Sequence, residues 1–220
     1  MLFQTENILE SEKERNFYSK VFAGYYFNEL IPGYEQRLEA FSNLLRNNKD
    51  LTFSGVLDNR FRLSPKSTHV TFDFHAYLLR EENDRGELAD VLITDLENAS
   101  AVAIEVKFLK NWEFKKDIEV ASSRILSLLE SNRISSFVHV LLISRSKLNG
   151  ARRAVGKQTS NWAKLSHVEL PYPLVVLTWE DIAETCKGSD ADLVTNFIHQ
   201  HVKGSRKSFR TNARKLLELE

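Results

Sequence analysis

Residues 86–108 read GELADVLITDLENASAVAIEVKF, and two features of this stretch decide how the chain is interpreted. Leu88 to Thr94 and Ala101 to Phe108 are rich in β-branched and apolar residues, and the turn-like run Asp95-Leu-Glu-Asn-Ala-Ser100 separates them. That pattern predicts two antiparallel strands joined by a short turn. Each strand nevertheless carries charge. Asp90 opens the apolar run Val91-Leu-Ile93, and Glu105 and Lys107 interrupt Ala101-Val-Ala-Ile104 and its continuation through Val106 and Phe108. Side chains alternate along a strand, so Glu105 and Lys107 project from one face and Val102, Ile104, Val106 and Phe108 from the other. A hairpin brings Asp90 beside Glu105, which lies 15 residues later. Charges inside a half-buried strand are costly unless they are paired or bound to metal.

Further strands are expected on either side. Residues 51–57 and 68–79 are strand candidates, with Val70, Phe72, Phe74 and Ala76 alternating with Thr71, Asp73 and His75. Glu81 to Gly86 reads as a polar turn. Phe137 to Ile143 and Leu174 to Thr178 are nearly continuous apolar runs, as expected of strands buried on both faces. Helical spacing predicts helices over 11–30, closed by Pro32-Gly33, and over Tyr34 to Asn47, with Leu38, Phe41, Leu44 and Leu45 on one side. Further helices are expected over 117–130, 151–164, from Trp179, over 191–202 and over 205–220. The order is helices, a three-strand meander, a helix, a buried strand, a helix and a last strand. That is an α/β domain with a mixed central sheet flanked by helices.

The composition frames this reading. The chain has 220 residues, 42% of them hydrophobic and 27% charged, which suits one folded domain and excludes a disordered chain. No apolar run is long enough to span a bilayer, and the N-terminal residues lack the basic start and apolar block of a signal peptide. One cysteine, Cys186, excludes an intramolecular disulfide framework and a cysteine-rich zinc site. A cytoplasmic location is expected. No GxxxxGK[ST] or GxGxxG is present, so no nucleotide cofactor is expected, and no GxSxG marks a serine nucleophile.

The net charge is zero, but unevenly distributed. Residues 145–220 hold thirteen basic and eight acidic side chains, while the rest of the chain has an acidic excess. Arg145 to Val168 carries Arg145, Lys147, Arg152, Arg153, Lys157 and Lys164 and no acid. Segregation of this kind can create a positive surface on a neutral protein, or merely a solvated face. The six histidines show no convincing metal-ligand spacing and read as ordinary surface or half-buried residues. Trp112, Trp162 and Trp179 read as packing residues, and Cys186 as inert.

Two carboxylates held together repel, and a divalent cation relieves the repulsion. The donor set suits Mg²⁺, with Mn²⁺ as a substitute: Asp90 and Glu105 would bind through carboxylate oxygens and Val106 through its backbone carbonyl. Lys107 beside them could orient water or stabilise charge growing on phosphate. The structural alternative is an Asp90–Lys107 or Glu105–Lys107 ion pair within a sheet.

With Asp90 on one strand and Glu105-Val106-Lys107 on the next, the chain resembles the PD-(D/E)xK nuclease superfamily. The resemblance covers about residues 68–180 and implies a restriction-endonuclease-like core, followed by C-terminal helices over 181–220. It makes the whole chain, 1–220, a single nuclease-like domain with N-terminal helices over 1–50. Ala89 stands where the motif's proline would be. The resemblance implies metal-dependent hydrolysis of DNA phosphodiester bonds, with Asp90, Glu105 and Lys107 catalytic. It also implies a further acid on a leading helix. Glu14 is favoured over Glu12, Glu29 and Glu35, although Ser11 and Glu14 also fit a helix-capping box. Arg152, Arg153, Lys157 and Lys164 are the candidates for gripping DNA phosphates. The alternative function is a catalytically silent module of the same fold that binds nucleic acid or a protein partner. The aromatic-rich first helix (Phe17, Tyr18, Phe22, Tyr25, Tyr26 and Phe27) could also provide a homodimer surface.

Overall fold

A computed structural model describes residues 18–48, 52–53, 57–75, 87–107, 134–145 and 172–186. Its organising element is a six-stranded mixed sheet. The strands are β1 (Thr52–Phe53), β2 (Thr68–His75), β3 (Glu87–Asp95), β4 (Ser100–Lys107), β5 (Ser136–Ile143) and β6 (Leu174–Thr178), in the spatial order β1-β6-β5-β4-β3-β2. β2, β3 and β4 form the expected antiparallel meander, β5 and β6 run parallel to β4, and β1 pairs antiparallel with β6 at the far edge. The helical elements are a short π-helical turn, α1 (Phe22–Tyr26), then α2 (Tyr34–Asn47) and α3 (Trp179–Thr185). The α/β class with a mixed sheet and helices is therefore present. No helix among the described residues is long and apolar enough to cross a membrane.

Alternation along the strands builds the core. Val91 and Ile93 on β3, Val102, Ile104 and Val106 on β4, Val138, Val140 and Leu142 on β5, and Val175 and Leu177 on β6 share one face. Against them lie Tyr18, Phe22, Tyr25 and Tyr26, then Leu38, Phe41 and Leu45 of α2, and Trp179 and Ile182 of α3. The opposite face is also buried in the centre, at Leu92, Ala101, Ala103, Leu141, Ile143 and Val176. Burial on both faces is why β5 and β6 read as uninterrupted apolar runs. Phe41 and Trp179 are fully buried, and truncating such an aromatic costs about 3–5 kcal/mol.

The helix boundaries have identifiable causes. α2 spans the predicted range, entered through Gly33, whose φ of 82° lies in the left-handed region that glycine adopts without steric cost. The preceding helix ends at Tyr26, earlier than residue 30. The chain widens into a π-turn closed by Phe27 N–H donating to the Phe22 carbonyl at 2.8 Å. Buried Arg37 then donates to the carbonyls of Asn28 (2.6 Å), Ile31 (3.0 Å) and Pro32 (2.7 Å), holding residues 28–32 as a loop. Near the other end of α2, Asn48 Nδ2 donates to the Val176 carbonyl at 2.9 Å and ties that end to β6. α3 opens on a capping box: Thr178 Oγ1 accepts from Asp181 N–H and the Asp181 carboxylate accepts from Thr178 N–H.

Of the strand predicted over 51–57, Thr52 and Phe53 are described as strand β1 at the edge of the sheet, and residues 51 and 54–56 lie outside the described residues. Tyr18, Phe22, Tyr25 and Tyr26 are buried within the chain, and Phe27 packs on the same core. These rings pack on one another and on Phe41 and Trp179 inside the chain. His139 is fully buried on the sheet face away from the main core, not at the surface or half-buried. The helices expected over 117–130, 151–164, 191–202 and 205–220 lie outside the described residues, as does the polar turn 81–86.

Candidate active site

The turn that joins β3 to β4 sets the register of the site. Asp95 is buried and accepts hydrogen bonds from Ser64 N–H (2.6 Å), Ser67 Oγ (2.5 Å), Glu97 N–H (3.1 Å), Asn98 N–H (3.2 Å) and Asn98 Nδ2 (2.7 Å). Burial alone would raise its carboxyl pKa, but the bonds from Ser67, Asn98 and Ser64 win and hold it below the ordinary range. With the turn pinned, the strands pair from Asp95–Ser100 through Val91–Ile104. The next position along that register sets Asp90 against Glu105.

Because Val91 and Ile104 face the main core, Asp90, Glu105 and Lys107 lie on the opposite face. The three are half-buried, with 15% and 17% of the Glu105 and Lys107 side chains exposed. Val106 N–H donates to Asp90 Oδ2 at 2.5 Å, so the Asp90 side chain takes up a strand donor just beyond the last backbone pair. In an extended strand a residue's N–H and C=O project to the same side. The Val106 carbonyl is therefore turned toward the strand that carries Asp90. Lys107 Nζ is hydrogen-bonded to Glu105 Oε1, an ion pair within one strand face.

The three residues also share one edge of the sheet. Lys107, Ile143 and Thr178 are register partners at the C-terminal ends of the parallel strands β4, β5 and β6. In open α/β sheets this is the edge at which ligands bind. Arg145, just beyond β5, is committed to α3: its N–H donates to Glu180 Oε2 at 2.9 Å, and its guanidinium pairs with Asp181 (2.7 Å) and Glu184 (3.0 Å). Of the acid-free stretch, this arginine therefore serves to join β5 to α3.

Among the described residues, no group of three or more His, Cys, Asp or Glu side chains is disposed to hold a metal ion. Two carboxylates remain a fitting donor set for Mg²⁺, which is commonly bound through one or two carboxylates and keeps several waters. Glu29 and Glu35, weighed as the further acid, are exposed. Their part of the chain packs on the face opposite Asp90 and Glu105, so neither joins them. Glu12, Glu14, Arg152, Arg153, Lys157 and Lys164 lie outside the described residues. Cys186 is half-buried beside the Tyr26 hydroxyl, and burial raises its thiol pKa, which fits an unreactive cysteine.

Comparison of the chain with family models, curated proteins and solved structures gives no match.

Proposed function

We infer that this chain is a metal-dependent nuclease that hydrolyses DNA phosphodiester bonds, built on a restriction-endonuclease-like core. The observation that carries the reading is the shared face and edge of Asp90, Glu105 and Lys107 on adjacent strands. Asp90 and Glu105 supply carboxylate oxygens for Mg²⁺ or Mn²⁺, and the Val106 carbonyl is a third oxygen on the same side. A cation held there would polarise the phosphoryl oxygen and lower the pKa of water. Lys107 offers an ammonium whose three donors can orient that water or bind the charge growing on phosphate. In the reaction a water oxygen bonds to phosphorus, the bond to the leaving sugar oxygen breaks, and that oxygen takes a proton. Arg152, Arg153, Lys157 and Lys164 are the proposed grip on backbone phosphates, and Glu14 the proposed further acid.

A second reading, a catalytically silent module that binds nucleic acid or a protein partner, has one observation in its favour. The Lys107–Glu105 pair already neutralises the charge on β4, as a purely structural pair would. Incubating plasmid and linear DNA with the chain and Mg²⁺ or Mn²⁺ separates the readings. Cleavage by the wild type and none by Asp90→Ala or Lys107→Ala is the expected result. Cleavage that survives both substitutions, or its absence from the wild type, overturns the nuclease reading.

A further inference from the structure

Glu105 and Lys107 stand two residues apart on one face of β4, and the ammonium is hydrogen-bonded to Glu105 Oε1. Both side chains are largely buried, so each charge depends on a partner for its stability. Asp90 is engaged by the same strand, through the Val106 N–H. Both carboxylates thus receive a donor from residues 106 and 107. A divalent cation ligated by the Glu105 carboxylate would face the Lys107 ammonium across that one group, and two positive charges a few ångströms apart in a half-buried site repel strongly.

We propose that the Lys107–Glu105 ion pair is a latch that a divalent cation must displace, and that displacement turns the Lys107 ammonium away from Glu105 toward the bound phosphate. The inference rests on the nuclease reading, because it takes Asp90 and Glu105 as the cation's ligands. It adds an order of events, with Lys107 held on its own strand until the cation arrives. Coupling between two binding events is reciprocal, so if the cation expels Lys107 from Glu105, Lys107 weakens the cation's binding to the same degree. Removing the ammonium should therefore tighten cation binding while abolishing cleavage.

The test is calorimetric titration of MnCl₂, without DNA, into the wild type and the Lys107→Met, Lys107→Gln and Asp90→Asn variants. Couplings of this kind span several-fold to a hundredfold, and about a tenfold fall in Kd is expected for both lysine variants, with binding lost in Asp90→Asn. Binding that depends on Asp90 but is unchanged or weaker in both lysine variants overturns the latch and leaves the cation site standing. Absent binding in all the proteins, or binding indifferent to Asp90→Asn, overturns the cation site and the latch with it. The wild type supplies an independent readout should the lysine variants fail to fold. Mn²⁺ should raise the acetylation of Lys107 by acetic anhydride several-fold over the other lysines, as read by peptide mass spectrometry. An unchanged rate overturns the latch.

Discussion

At neutral pH the imidazole of His139 lies uncharged inside the sheet, with Phe137 and Tyr172 nearby and neither ring nitrogen hydrogen-bonded among the described residues. Burial pushes its pKa down from 6.5 to about 4. Between those values the unfolded chain binds a proton that the folded chain refuses, so stability falls as the pH falls. The loss is about 2 kcal/mol between pH 7 and pH 5 and about 3 kcal/mol by pH 4, and it grows little below the folded value. A His139→Leu substitution of similar volume removes the titration and an unsatisfied polar group. Urea denaturation of wild type and variant at pH 7, 6 and 5 isolates this contribution. The variant should match or exceed the wild type at pH 7, and its advantage should widen by about 2 kcal/mol at pH 5. Parallel stability curves for the two proteins across that range would refute the argument, because they would mean that the folded state tolerates the imidazolium.

Arg37→Met removes three hydrogen bonds to the carbonyls of residues 28–32 and should cost about 2–4 kcal/mol in urea denaturation. Arg37→Lys should recover less than half of this, since an ammonium lacks the guanidinium fork. Asp95→Asn should cost about 2–3 kcal/mol at pH 7. Because the Asp95 pKa is lowered on folding, its contribution is present above the ordinary value of 3.8 and is lost as the pH falls below it, a more acidic window than that of His139. A double Arg152→Ala, Arg153→Ala variant should weaken DNA binding at low salt and reduce the slope of log K against log salt by about two, measured by fluorescence anisotropy.

Much of the sheet was legible because alternation and apolar continuity are local signals. Val91 to Thr94, Ala101 to Val106 and Phe137 to Ile143 carry their strand character in the order of their side chains, and the short turn between the first two leaves little freedom in their pairing. The register that sets Asp90 opposite Glu105, one position beyond the last backbone pair, followed from that alone. Both the metal-site and ion-pair readings of Glu105 and Lys107 were open in the sequence; the side chains adopt the ion pair, and the strand register sets Asp90 opposite Glu105. What escaped were contacts made across the fold. The early end of the first helix depends on Arg37 reaching back to Asn28, a tertiary contact that helical spacing does not encode. Asp95 was legible as a turn residue, but its bonds to Ser64 and Ser67 cross from β3 to a distant loop. His139 sits in the apolar run Phe137 to Ile143, and that position, more than its residue type, was the available signal of burial.

The central claim is that Asp90 and Glu105 form a divalent-cation site at the edge of the sheet where β4, β5 and β6 end. Crystals soaked in Mn²⁺ and measured at a wavelength sensitive to manganese test it most directly. The account predicts an anomalous peak within ligand distance of carboxylate oxygens of both Asp90 and Glu105, with Lys107 Nζ withdrawn from Glu105. Well-ordered side chains with no peak between them, and Lys107 still bound to Glu105, would contradict it.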